Sequence, residues 1–135
     1  MKIGPFALLP GGLSVVEVAT LEEWENRAQL IFDMQKYVPW WLGDLVVFGE
    51  AQWGDDFWQV PPLVASEQML MRFAGVARKY PIGERNLSLS WTHHVIALRA
   101  DEVILRRSLL RIAESKSMTS EEFRCYVSNL FGARD

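Results

Sequence analysis

The chain has 135 residues, half of them apolar, and carries 14 Lys and Arg against 17 Asp and Glu for a formal net charge of −3. That length and apolar content suffice for one sizeable core and exclude a disordered tail, and no run approaches the roughly 18 uncharged apolar residues a membrane span needs. A single cysteine, Cys125, excludes an internal disulfide and a cysteine-rich zinc cage; it is expected as a buried structural thiol.

The N-terminal MKIGPFALLPGG has a short apolar patch but no small-residue cleavage pattern, so a cytoplasmic protein is expected. Residues 1–19, with paired glycines, two prolines and a β-branched patch, read as an extended arm or short strand. At Thr20 a helix is expected, because Thr20 and Glu23 have the spacing of a capping box. Leu21, Trp24, Ala28, Ile31 and Phe32 then fall on one helical face.

Pro39 suits the first position of a second helix, where its missing N–H is no loss. The stretch WWLGDLVVFGEAQW from Trp40 to Trp53 is apolar nearly all round, which predicts a central helix packed on several sides. Gly43 and Gly49 cost roughly 1 kcal/mol each relative to alanine and fit a close approach by a neighbouring helix. Gly54 fits the C-terminal stop. DDFWQV then reads as a short segment ended by Pro61 and Pro62.

Ser66 caps a helix predicted to reach Tyr80, bounded by Pro81. At 100° per residue, Met69, Leu70, Phe73, Val76, Ala77 and Tyr80 form a core arc, with Glu67, Gln68, Met71, Arg72, Gly75, Arg78 and Lys79 opposite. IGERN reads as a turn. Three further helices follow, near 89–99, from Asp101 to Lys116, and from Thr119, where Thr119 and Glu122 repeat the capping-box spacing and Phe123, Val127 and Leu130 supply the core face. The expected fold is all-α, a compact multi-helix single domain over 1–135. It has an N-terminal arm (1–19), a helix-turn-helix (55–80) and supporting helices (88–131).

Charge is unevenly spread. Residues 1–65 hold three basic and nine acidic side chains, whereas residues 66–116 hold nine basic and five acidic ones. A basic middle in a mildly acidic chain points to an anionic partner held there, against the plainer reading that Lys and Arg solvate helix surfaces.

Enzymatic chemistry finds little support. His93 and His94 are the two histidines, but neighbours on a helix point about 100° apart and cannot share one metal from regular geometry. A zinc helix needs histidines at i and i+4, and the sequence around Ser90 resembles a helix start. One imidazole is therefore expected hydrogen-bonded in a packed junction, the other near solvent, with Trp91 packed inward. Neither a nucleophile elbow nor a phosphate-binding glycine loop is present, and Asp55 and Asp56 fit a helix N-terminus. No catalytic residue, metal site or cofactor is expected. Trp40, Trp41, Trp53 and Trp58 lie within one short stretch, where a core of large side chains is weighed against a stacking platform for bases.

Segment 55–80, a short helix, a turn and a capped amphipathic helix with a basic outer face, has the layout of a helix-turn-helix. In that layout Glu67, Gln68, Met71 and Arg72 face base edges and Arg78 and Lys79 lie near phosphates, against the plainer reading that two short helices at an angle are how small α-domains pack. A DNA-binding regulator of this kind has Gln68 and Arg72 reading bases, Met71 on a thymine methyl, and Arg78, Lys79 and Arg85 on phosphates.

WWLGDLVVFGEAQWG, SEQMLMRFAGVARKY and LSLSWTHHVIALRA, followed by a long helix and the capped SEEFRCYV, resemble the LmbU-type transcriptional regulators over about residues 20–128. More distantly, SEQMLMRFAGVARKYP through LSWTHHVIAL and SMTSEEFRCYV is similar to the helix-turn-helix domain of ParB and KorB partition proteins. The resemblance implies an α-helical domain with its recognition helix at about 66–79, acting as a homodimer on double-stranded DNA. Gln68, Arg78 and Lys79 keep the family's character. Glu67, Met71 and Gly75 depart from it, and Arg72 stands where asparagine is usual. A glutamate near the groove repels phosphate and methionine offers no hydrogen bond to a base edge. These departures leave two readings: a regulator with altered sequence preference, or a helical protein-interaction module that kept the fold and lost DNA binding.

Overall fold

The structure, a computed structural model, describes residues 1–59 and 66–132. The chain separates into two compact units, Met1–Val38 and Pro39–Asp135. It is mostly helical, and the expected N-terminal arm is a small antiparallel sheet with strand order β1 (Lys2–Ile3), β2 (Phe6–Leu9), β3 (Gly12–Val15). Leu9 pairs with Gly12, so Pro10 and Gly11 form the hairpin tip, and Gly11 takes the left-handed backbone (φ +81°) that favours glycine. Phe6 is buried in this unit.

Helix α1 runs from Leu21 to Trp53 as one element with Pro39 inside it, where two helices were expected. Proline there forgoes one backbone hydrogen bond and crowds the preceding turn, a cost of about 3 kcal/mol. The division between the units falls at this residue. The expected capping box forms: Glu23 N donates to Thr20 Oγ1 at 3.1 Å and Thr20 N to Glu23 Oε1 at 3.3 Å. The predicted apolar face beyond it remains largely in solvent, with Leu21, Trp24 and Phe32 exposed.

The second half of α1 is not buried all round. Trp40, Gly43, Val46 and Gly49 make one buried stripe, while Trp41, Leu45, Phe48 and Trp53 are exposed. Both glycines permit close packing. A Cβ on Gly43 would lie 2.4 Å from the Phe73 carbonyl oxygen, and one on Gly49 would lie 2.7 Å from the Phe57 ring. After α1 comes a 3-10 segment, Gly54–Gln59, entered through Gly54 at φ +57°. The separate first helix expected for a helix-turn-helix is thus a tight 3-10 turn following α1 directly, and the predicted connecting turn at 60–65 lies outside the described residues.

Helix α2 (Glu67–Lys79) buries Leu70, Phe73, Ala74, Val76 and Ala77, and Tyr80 continues the stripe. Met69, expected in the core, is exposed because it lies at the edge of the arc. A short 3-10 turn (Ile82–Glu84) leads to α3 (Trp91–Ala97), α4 (Val103–Ser115) and α5 (Ser120–Phe131). Phe123 and Val127 of α5 join Leu109, Leu110, Ala113, Ala97, Val76 and Trp40 in the larger core, and a smaller cluster holds Val46, Leu70, Phe73 and Ala74. Leu130 and Cys125, both expected inside, are exposed.

Candidate nucleic-acid interface

The one face that gathers most of the sequence-predicted contact residues is the outer side of α2. Ser66 opens the helix in extended conformation and its Oγ accepts from Met69 N at 3.3 Å. Glu67 in the first turn and Arg78 and Lys79 in the last complement the helix dipole. With Leu70, Phe73 and Val76 buried behind it, the helix cannot rotate, and Gln68, Met71, Arg72, Arg78 and Lys79 are all exposed. Gln68, Met69, Met71 and Arg72 line a shared hollow of about 590 Å³. The Arg72 guanidinium lies 5.6 Å from the centre of the Trp91 ring, a cation–π contact made by the head group itself while the residue remains exposed.

Arg78 makes an ion pair with Glu50, which also accepts from Trp58 Nε1 at 3.0 Å. Half-exposed, Arg78 keeps an outer edge, but part of its charge is already answered. Lys79 lines a cleft with Tyr80, Glu84, Arg106 and Arg107.

Arg85 was expected at a phosphate, and the structure places it inside. Its side chain is 6% exposed, its Nη1 and Nη2 donate to both Asp44 carboxylate oxygens at 2.8 and 2.7 Å, and Nε donates to the Tyr80 carbonyl at 2.9 Å. The guanidinium also lies 4.4 Å from the centre of the Trp40 ring. All of its hydrogen-bonding edges face protein. Bidentate pairing is the strongest geometry available to arginine, so this residue ties α1 to the segment after α2.

The histidine pair is wholly structural in its contacts. His94 is fully buried; its Nε2 accepts from Asn86 N at 3.0 Å, so Nδ1 carries the proton and donates to the Ser90 carbonyl at 2.8 Å. His93 has the other tautomer. Its Nδ1 accepts from Ser90 N at 3.2 Å and from the Ser90 hydroxyl at 2.7 Å, and its Nε2 donates to the Met118 carbonyl at 2.9 Å. Neither ring is near solvent, which corrects the expectation for one of them. Burial holds the His94 imidazole below its usual pKa, the neighbouring His93 and Arg85 act in the same direction, and the hydrogen bond to Ser90 opposes them. Among the described residues no three His, Cys, Asp or Glu side chains converge to hold a metal ion.

A buried cation escaped the sequence reading. Arg106 is 5% exposed, donates to the carbonyls of Ala100 and Asp101, and lies 5.6 Å from the Tyr80 ring centre. Tyr80 donates its hydroxyl to the His94 carbonyl at 2.7 Å, and burial pushes its phenol well above the ordinary value against the opposing charge of Arg106. The available signal was position: Arg106 sits three residues before Leu109 on the same helical face.

The tryptophans divide. Trp40 is buried against Tyr80 and His94 in edge-to-face contacts, Trp58 is half-buried, and Trp41 and Trp53 are exposed. Phe48, Trp53 and Phe57 with Leu45, Gly49 and Asp56 line an almost wholly apolar pocket of about 450 Å³. No helix among the described residues is long and apolar enough to cross a membrane.

No family model matches the chain, and no solved structure matches it. The chain is similar to the transcriptional regulator NovE of Streptomyces niveus, with 34% identity over 77 residues that cover 56% of this chain and 36% of that protein. The match therefore spans about a third of that relative's length. It agrees with the coarse part of the sequence resemblance, a likeness to regulators of transcription.

Proposed function

We propose that the chain is a DNA-binding regulator of transcription whose α2 lies in the major groove of duplex DNA, acting as a homodimer on a two-fold site. The observation that carries this reading is the outer face of α2. Gln68, Met71, Arg72 and Lys79 share it, and the helix is fixed in rotation by its buried stripe. Gln68 is suited to an adenine edge, Arg72 to guanine O6 and N7, and Met71 to a thymine methyl. Lys79 and the outer edge of Arg78 serve phosphates. The likeness to NovE supports a regulatory role.

A dimer needs an apolar contact, and α1 offers one. Leu45, Phe48 and Trp53, each more than half exposed, present on the order of 300–400 Å² of apolar surface, about half of the roughly 800 Å² per partner in a standard interface. The test is duplex binding by purified protein, wild type against Gln68→Ala and Arg72→Ala, on a sequence selected from a random pool. Loss of discrimination at single positions supports the reading; equal weakening at all sequences, or no binding at low salt, sinks it.

The second reading is a protein-interaction module, favoured by the 450 Å³ apolar pocket on α1. Under it, wild-type protein binds no duplex, and Phe48→Asp abolishes association with a purified partner while Arg72→Ala does not.

A further inference from the structure

We propose that α4 supplies a second line of contacts to backbone phosphates, with Arg107 and Arg111 holding the strand beside the one reached by α2. The inference rests on the DNA-binding reading. Arg107 and Arg111 stand at i and i+4 on α4 and both are exposed, which puts their Cβ atoms about 5–6 Å apart on one face. With Gly83, Glu84, Arg85, Asn86 and Leu110 they line a groove of about 380 Å³. Arg107 also lines the neighbouring cleft that contains Lys79 at the end of α2. The basic surface is therefore continuous from the proposed groove-binding helix to α4.

The balance of charge along this surface favours an anion. Asp44 neutralises Arg85 within the protein. Lys79, Arg106, Arg107 and Arg111 line these two clefts with one carboxylate, Glu84, which pairs with Arg107 at 2.8 Å, while Glu114, exposed on α4 three residues beyond Arg111, lies outside their lining. Arg106 adds to the field without occupying the groove, because its donors end on carbonyl oxygens and it lies beside the cleft from within. The Glu84–Arg107 pair is about half exposed on both sides, so a phosphate can replace the carboxylate at little cost. Asn86 uses its Oδ1 to accept from Ser88 N at 3.0 Å, which orients its amide NH₂ as a donor end.

The experiment is duplex binding across a salt series for wild type, the double variant Arg107→Gln with Arg111→Gln, Arg72→Ala, and Lys116→Gln as an exposed cation outside the groove. The double variant is expected to weaken binding to every sequence alike. It should make the slope of log K against log salt shallower by about 1.8, or about 0.9 for each phosphate left without its cation, while Lys116→Gln leaves the slope unchanged. An unchanged slope in the double variant, with Arg72→Ala impaired, overturns the groove and leaves the α2 reading standing. A slope change in Lys116→Gln as large per charge also overturns it, because bulk charge then explains the effect. Absence of wild-type binding removes both readings together.

Discussion

His94 sits where the turn after α2 meets α3, accepting from Asn86 and donating to Ser90, so only its neutral form satisfies both neighbours. Its folded-state pKa lies below the unfolded value of 6.5, chiefly through burial. The neutral ring therefore contributes stability in full above about pH 6.5, and that contribution is lost as the pH falls toward the folded value. Urea unfolding between neutral pH and pH 5 should give a falling midpoint; a flat profile would contradict the buried neutral ring. Arg85 gives a second expectation at this scale. Removing it leaves Asp44 without its partner and the Tyr80 carbonyl without its donor. Loss of one partner of a buried pair costs about 3–5 kcal/mol, and Asp44 is partly exposed, so Arg85→Ala should cost about 2–4 kcal/mol. If Arg85→Ala kept full stability and weakened DNA binding, its assignment to the interior would be wrong.

Two glycines distinguish the helices. A Cβ at Gly43 would meet the backbone oxygen of Phe73, which cannot swing aside, whereas a Cβ at Gly75 meets nothing within 4 Å. Gly43→Ala should destabilise by about 1–3 kcal/mol through overpacking, and Gly75→Ala should stabilise by up to about 1 kcal/mol through helix propensity. Thermal melts of the two variants must move in opposite directions; a shift of the same sign in both would contradict the packing of α1 on α2. The features readable from sequence at this scale were local ones. The caps at Thr20, Ser66, Ser90 and Thr119 all form because each involves residues three apart. Features that depend on distant partners were not readable: the Arg85–Asp44 pair links positions 41 residues apart, and helical periodicity gives the direction of Met69 or Leu130 but not whether anything lies there. The sequence shows the N-terminal segment only as an extended arm or short strand, and not as three paired strands, because strands of two to four residues carry too little alternation to register. The local rule makes Pro39 a helix start, although the helix continues through it.

The basic middle of the chain is less available to a partner than its composition implies. Arg85 and Arg106 are inside, and Arg78 and Arg107 face carboxylates. What remains outward is Lys116 at the end of α4 and a narrower track through Arg72, Lys79 and Arg111, and the candidate site is legible from sequence only as far as the outer face of α2. Oligomeric state belongs to the same scale. Under the proposed dimer, Leu45→Glu with Phe48→Glu should shift sedimentation from dimer to monomer, and a wild-type monomer at all concentrations would contradict that proposal. The most direct measurement is the salt dependence of duplex binding by wild type and by Arg72→Ala with Lys79→Ala, both residues being exposed and outside the core. Wild type should bind at low salt with a steep slope, and the variant should bind more weakly, with a slope shallower by about 0.9 for the phosphate that Lys79 no longer neutralises. Equal affinity and equal slope for the two proteins would contradict binding through α2.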